Sequence, residues 1–262
     1  MKCREIIAKL EQLYPPKFAA SWDNPGLQVG DREKEIQTVY LALDATDEVI
    51  EHAIQEKTDL LITHHPMIFS GLKSVTAEHF IGRRVMRMIQ SGMCYYAIHT
   101  NYDVAKMAEL SADYLELKDT KILSVSYCEG ETGIQEGYGR VGDLAEEMTL
   151  EQCADAVKRA FSLREVKVFG DPCQKIRRAA ILPGSGKSMI LDALKSKADV
   201  MITGDIDHHA GIDAVAQGLA IIDAGHYGTE HIFMEQMRKE LEQDFPELTV
   251  KREAFAVPFR MM

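Results

Sequence analysis

The sequence predicts an α/β fold made of two halves, each a three-layer α/β/α arrangement with a largely parallel sheet. Three observations point there. Short apolar runs alternate with segments of helical period, the signature of βαβ units. The alternation occurs twice, within residues 1–119 and again within 120–262. The two occurrences align at a fixed offset of 140 residues through their first βαβ unit.

Residues 2–13 form the first predicted helix, with Ile6, Ile7, Leu10 and Leu13 on one face and Pro15–Pro16 ending it. Residues 21–30, SWDNPGLQVG, are turn-rich. Trp22, the only tryptophan, is expected to anchor packing, given the area an indole buries. Asp23 and Asn24 either shape the turn before Pro25 or line a site. Strands follow at 39–44, 60–63 and 93–98, separated by helices at 47–56 and 77–90. The second half repeats the scheme with strands at 179–183, 199–203 and 219–223 and helices at 187–197 and about 229–241. Val49-Ile50 matches Met189-Ile190, Ala53-Ile54 matches Ala193-Leu194, and DLLIT at 59–63 matches DVMIT at 199–203. Two buried strands share general demands, but the run of Asp, two apolar residues, Ile and Thr is more specific and argues for an internal duplication. Between the repeats, residues 120–178 hold two or three strands and a helix at 149–161, opened by a Thr149–Gln152 capping box. Gly137, Gly139 and Gly142 mark turns or close backbone approach.

Composition narrows the function. A net charge of -11 over 262 residues disfavours general nucleic-acid binding, because an acidic surface repels phosphate backbones. Bound divalent ions would still supply a local cationic site without entering the Lys and Arg count. The five cysteines are odd in number and lack C-x-x-C spacing, which argues against a disulfide framework and a Cys-based zinc site. With no signal-peptide core and no apolar run near the ~20 residues of a membrane span, a cytoplasmic protein is expected.

The chemistry-bearing residues gather at predicted strand ends, the edge at which open α/β sheets bind ligands. Thr63-His64-His65-Pro66 ends one strand. Neighbouring strand residues point to opposite faces, so His64 and His65 either serve two different ions on either side of the chain or are surface histidines in a loop. His99 and Asp103, in HTNYD, end the third strand, and His226 and Glu230, in HYGTE, end its counterpart. Each is a histidine followed four residues later by a carboxylate, a spacing that puts both on one helical face. Imidazole and carboxylate suit zinc, iron or manganese. Solvated helix caps would account for the carboxylates through the helix dipole but not for the histidines. Asp205, Asp207, His208 and His209 form a third cluster: Asp207 is a candidate N-cap, and one histidine could reach a site as acid, base or substrate contact. The stretch GSGKS at 184–188 lacks the leading glycine of a Walker A loop, since Ile181 stands there, and reads as a tight turn that could also hold an anion. No G-x-S-x-G elbow and no H-E-x-x-H helix occur.

Taken together, SWDNPGLQVG, LLITHHPMIF, HTNYD, GYGRVGDL, GSGKS, ITGDIDHHAGIDA and DAGHYGTEH resemble the GTP cyclohydrolase type 2 homologues, also called Nif-three-like proteins, from the N-terminal helix almost to the C-terminus. The resemblance implies a duplicated α/β fold with a dinuclear metal centre in the cleft between halves. It implies His65 and Asp103 on one ion, His64 and His226 on the other, and Glu230 bridging both. It also implies a homohexamer. Longer relatives carry an inserted domain, for which the ~60 residues between the halves leave no room. Asp205 stands where similar sequences often carry Glu. The expected activity is metal-assisted hydrolysis of a nucleotide or cyclic amide, with His99 or His209 moving protons. The rival expectation is a non-catalytic metal-binding scaffold or regulatory protein.

Overall fold

The computed structural model describes residues 1–130 and 133–259 and divides them into two units. The first comprises Met1–Tyr102 with Phe233–Ala256, and the second Asp103–Ile232 with the residues from Val257 onward.

The first unit holds β1 (Gly26–Val29), β2 (Thr38–Ala42), β3 (Leu60–Thr63) and β4 (Cys94–Ala97), with helices α1 (Cys3–Leu13), α2 (Asp47–Gln55), α3 (Phe80–Ser91) and the single-turn α4 (Thr100–Tyr102). Its sheet order is β1-β4-β3-β2-β11, where β11 is Thr249–Arg252. Strands β4, β3, β2 and β11 run parallel, and β1 joins β4 antiparallel. Every residue of β3 and β4 is buried, as a strand covered on both faces requires. One face packs Tyr40, Leu61 and Tyr95 against Ile50 and Ala53 of α2 and Val85 and Met88 of α3.

The second unit holds α5 (Ala108–Tyr114), β5 (Lys118–Cys128), β6 (Gln135–Thr149), α6 (Leu150–Ala160), β7 (Lys167–Phe169), β8 (Lys175–Ser185), α7 (Ile190–Lys195), β9 (Val200–Gly204), α8 (His208–Ala216) and β10 (Ala220–Asp223). Its order is β5-β6-β8-β9-β10-β7, parallel only through β8, β9 and β10. Thr149 and Gln152 close the expected capping box on α6.

The DLLIT and DVMIT runs owe their likeness to the same local bonds. Asp59 Oδ2 accepts the amides of Gln37 and Thr38 at 2.9 and 3.1 Å, and Asp199 Oδ2 accepts those of Arg177 and Arg178 at 2.9 and 2.8 Å. Each aspartate pins the start of the neighbouring parallel strand. Burial opposes ionisation of Asp59, yet those amides and Lys34 hold its carboxyl below the usual range. At the other end, Thr63 Oγ1 donates to the His65 carbonyl at 2.7 Å and Thr203 Oγ1 to the Gly184 carbonyl at 3.3 Å.

Some expected elements differ. The expected helix at 187–197 starts as a 3₁₀ turn over Lys187–Met189 before α7, and the helix expected from about 229 already begins at His226, as α9 (His226–Glu230) followed by α10 (Ile232–Asp244). β1 lies inside the stretch read as turn-rich, for which no strand was expected.

Candidate metal centre

In the first unit, Ala42, Thr63 and Ala97 share one row of the sheet, so the chain leaves all three parallel strands at the same edge. Asp44, His64–His65 and His99 follow directly. Strand alternation would send His64 and His65 to opposite faces. Instead the chain bends at both residues, and their ring centroids lie 4.9 Å apart. The bend is fixed by Tyr95, whose buried hydroxyl donates to the His65 carbonyl at 3.0 Å and accepts the Met67 amide at 2.9 Å. Phe233, at the start of α10, packs on His64 with centroids 5.4 Å apart. His64, His65 and His99 thereby offer three ring nitrogens within 4.8 Å of one another.

The second unit gathers its own set. Asp103 opens a π-helical turn over Asp103–Met107, a rare form often found at functional sites. A carboxylate oxygen of Asp103 lies within 4.8 Å of one from Glu230, and Glu230 is only 4% exposed. Helix α9 places His226 one turn before Glu230, with Nε2 to Oε2 at 3.0 Å. His226 follows the last residue of β10 by three positions, whereas His99 follows β4 by two. The extra residue precedes Gly225, whose φ of +78° turns the chain into the helix.

Each histidine is oriented through Nδ1. His64 Nδ1 meets the Ile98 carbonyl at 3.0 Å, His65 Nδ1 meets Asp44 at 2.8 Å, His99 Nδ1 meets Asp23 at 2.8 Å, and His226 Nδ1 meets Asp205 at 2.7 Å. All four partners are oxygens that can only accept, so Nδ1 carries the hydrogen and the neutral ring keeps its lone pair on Nε2. That is the arrangement of metal-ligating histidines. Nitrogen and carboxylate donors are of the kind that could hold zinc, iron or manganese. At His226 a neutral Nε2 and a carboxylate oxygen 3.0 Å apart repel unless a proton or a metal cation neutralises them.

Among the residues singled out in the sequence, His209 lies exposed in the first turn of α8, its ring 5.2 Å from that of His208. Asp207 caps α8 by accepting the Ala210 amide at 3.0 Å. In GSGKS, Lys187 pairs with Asp207 at 2.6 Å, and Gly184 makes room for Glu230: a Cβ on Gly184 would overlap Glu230 Oε1 and lie 3.5 Å from His226 Nε2. Trp22 is not a packing anchor. It is 63% exposed, because the next residue, Asp23, is the one drawn inward by His99 and Thr100. Burial opposes the Asp23 charge, but hydrogen bonds from His99 and Thr100 overcome it and hold the carboxyl at about 2.

Asp44 and Asp205 are site residues that sequence reasoning passed over or treated as incidental. Asp205 adopts φ +58°, a left-handed conformation that aspartate tolerates, and so turns its carboxylate onto His226. Asp44→Ala and Asp205→Ala are each expected to weaken metal affinity about 10- to 100-fold in a chelator competition. Unchanged affinity in both would show that these carboxylates do not orient ligands.

The family model Duf34/NIF3 (NGG1p interacting factor 3) matches residues 1–259. A GTP cyclohydrolase 1 type 2 homolog of Clostridium perfringens is 34% identical over 260 residues, covering 97% of both chains. A protein of the same description from Streptococcus pneumoniae is 36% identical over 249 residues, covering 93% of this chain and 91% of that one. The crystal structure of a Bacillus cereus protein related to NIF3 superposes with a TM-score of 0.90 at 26% identity, covering 100% of this chain and 99% of that one. Family model, near-full-length relatives and mixed α/β fold agree, and the chain belongs to the DUF34/NIF3 family.

Proposed function

We propose that the protein is a metal-dependent hydrolase acting on a nucleotide or a cyclic amide. In this reading His64, His65, Asp103, His226 and Glu230 would hold two ions of zinc, iron or manganese per chain. The observation that carries the reading is the common orientation of the histidines, each with Nδ1 tied to an oxygen acceptor, which puts the lone pair of the neutral ring on Nε2. When bound, such ions bring the pKa of a coordinated water toward 7 and polarise the bond under attack. The name shared by the Clostridium and Streptococcus relatives supports a nucleotide-type substrate.

The chain's own contribution beyond the ligands centres on His99. Its Nδ1 hydrogen is committed to Asp23, so Nε2 is the atom placed to take up and release a proton. Asp23 stabilises the imidazolium and fixes its plane. The same reading includes a cytoplasmic homohexamer; among the described residues no helix is long and apolar enough to cross a membrane.

The test is turnover against loading. Metal-stripped protein reloaded with zinc, ferrous or manganous ions is expected to hydrolyse a member of a panel of nucleotides and cyclic amides, in proportion to its metal content. His64→Ala is expected to abolish that turnover. Full loading with no turnover across the panel would overturn the hydrolase and leave the metal-binding scaffold.

A further inference from the structure

We propose that Trp22 and Phe69 form a stacking site for a planar heteroaromatic ring, and so select the ring of the substrate; this rests on the hydrolase reading for the word substrate, not for the binding itself. Both side chains are large and aromatic yet 63% and 50% exposed. Both meet the same imidazole: Trp22 lies 5.8 Å from His99 at an interplanar angle of 71°, and Phe69 lies 6.0 Å from it at 84°. Two exposed aromatic residues converging on one candidate catalytic histidine differ from apolar residues scattered singly over a surface.

The backbone beneath each ring is fixed. Trp22 precedes Asp23, whose carboxylate takes His99 Nδ1 at 2.8 Å and the Thr100 amide at 3.0 Å. Phe69 follows Ile68, whose carbonyl accepts Asn24 Nδ2 at 2.6 Å and Gln28 Nε2 at 3.0 Å, while its amide donates to Gln28 Oε1 at 2.9 Å. The side-chain amide of Gln28 thus pairs with Ile68 in both directions and ties the two aromatic-bearing loops together. Rings held this way lose little freedom when a ligand arrives, which is how preorganised aromatic surfaces gain affinity. They recognise a π-face and tolerate different ring substituents, as base-stacking platforms do.

Trp22 is the only tryptophan, so its fluorescence reports on this site alone. Full-length protein titrated with guanosine or adenosine is expected to show saturable quenching, with none from ribose or inorganic pyrophosphate. Phe69→Ala is expected to weaken the titration about tenfold and Phe69→Tyr to restore it. No saturable quenching by either nucleoside, or equal affinity in wild type and Phe69→Ala, would overturn the proposal. So would a change in oligomeric mass of Trp22→Ala by light scattering, which would make the aromatic patch an interface between copies. Nucleoside binding by fully metal-loaded protein that turns over no member of the nucleotide and cyclic-amide panel would uphold the stacking site and remove the hydrolase. Metal-dependent nucleotide turnover whose KM is unchanged in Trp22→Ala and Phe69→Ala would do the reverse.

Discussion

Glu230→Ala is expected to lower the metal content from the proposed two ions per chain to at most one, and to weaken retention of the remainder by more than the ~10- to 100-fold that loss of an orienting partner costs. The carboxylate is 4% exposed, lies 3.0 Å from His226 Nε2, and has an oxygen of Asp103 within 4.8 Å. A buried anion beside a second carboxylate is a liability in the absence of a cation, because like charges at that range repel and neither is well solvated. The metal-free variant should therefore melt no lower than metal-free wild type. The loaded proteins should differ sharply. A ligand present at 100 times its Kd stabilises the folded state by about 2.7 kcal/mol, and the variant forfeits that contribution. Thermal melting with and without a chelator reads both effects, with elemental analysis as the direct count. A variant that keeps two ions and still loses melting temperature on chelation would remove Glu230 from the ligand set.

The sheets were legible in the sequence because β3 and β4 are buried on both faces, and such strands must be short apolar runs. The same logic misses edge strands. β1 is only partly buried and carries a glycine, and β11, TVKR, is half charged; each is a strand because it pairs with β4 or β2, a fact about the partner. The ligand candidates were legible as residue types at strand ends, but their geometry was not. Strand alternation separates His64 from His65, and the contact that brings them together comes from Tyr95, about thirty residues on and one strand over. Asp44 and Asp205 look like ordinary turn residues until their histidine partners are seen. Trp22 departs from the expectation of burial because side-chain area favours burial in general, whereas here the buried hydrogen bonds of Asp23 decide which residue of the turn points inward.

Gly184→Ala separates a structural glycine from a site glycine. Gly184 has φ +73°, where an L side chain costs roughly 1–2 kcal/mol. It cannot relax easily, since its amide donates to Thr229 Oγ1 at 2.9 Å and its carbonyl accepts Thr203 Oγ1 at 3.3 Å. The added methyl would overlap Glu230 Oε1 and sit 3.2 Å from Cδ, so the carboxylate has to move. Metal ligation tolerates shifts of only a few tenths of an ångström, and metal affinity is expected to fall about 10- to 100-fold, the range seen when a ligand loses its orienting contacts. Gly92 supplies the control: its φ is +74°, at the C-cap of α3, and a Cβ there meets nothing within 4 Å. Gly92→Ala should lose a similar amount of stability to backbone strain and keep its metals. If chelator competition gave Gly184→Ala and Gly92→Ala the same affinity, the close approach of Gly184 to Glu230 would have no bearing on the metal centre.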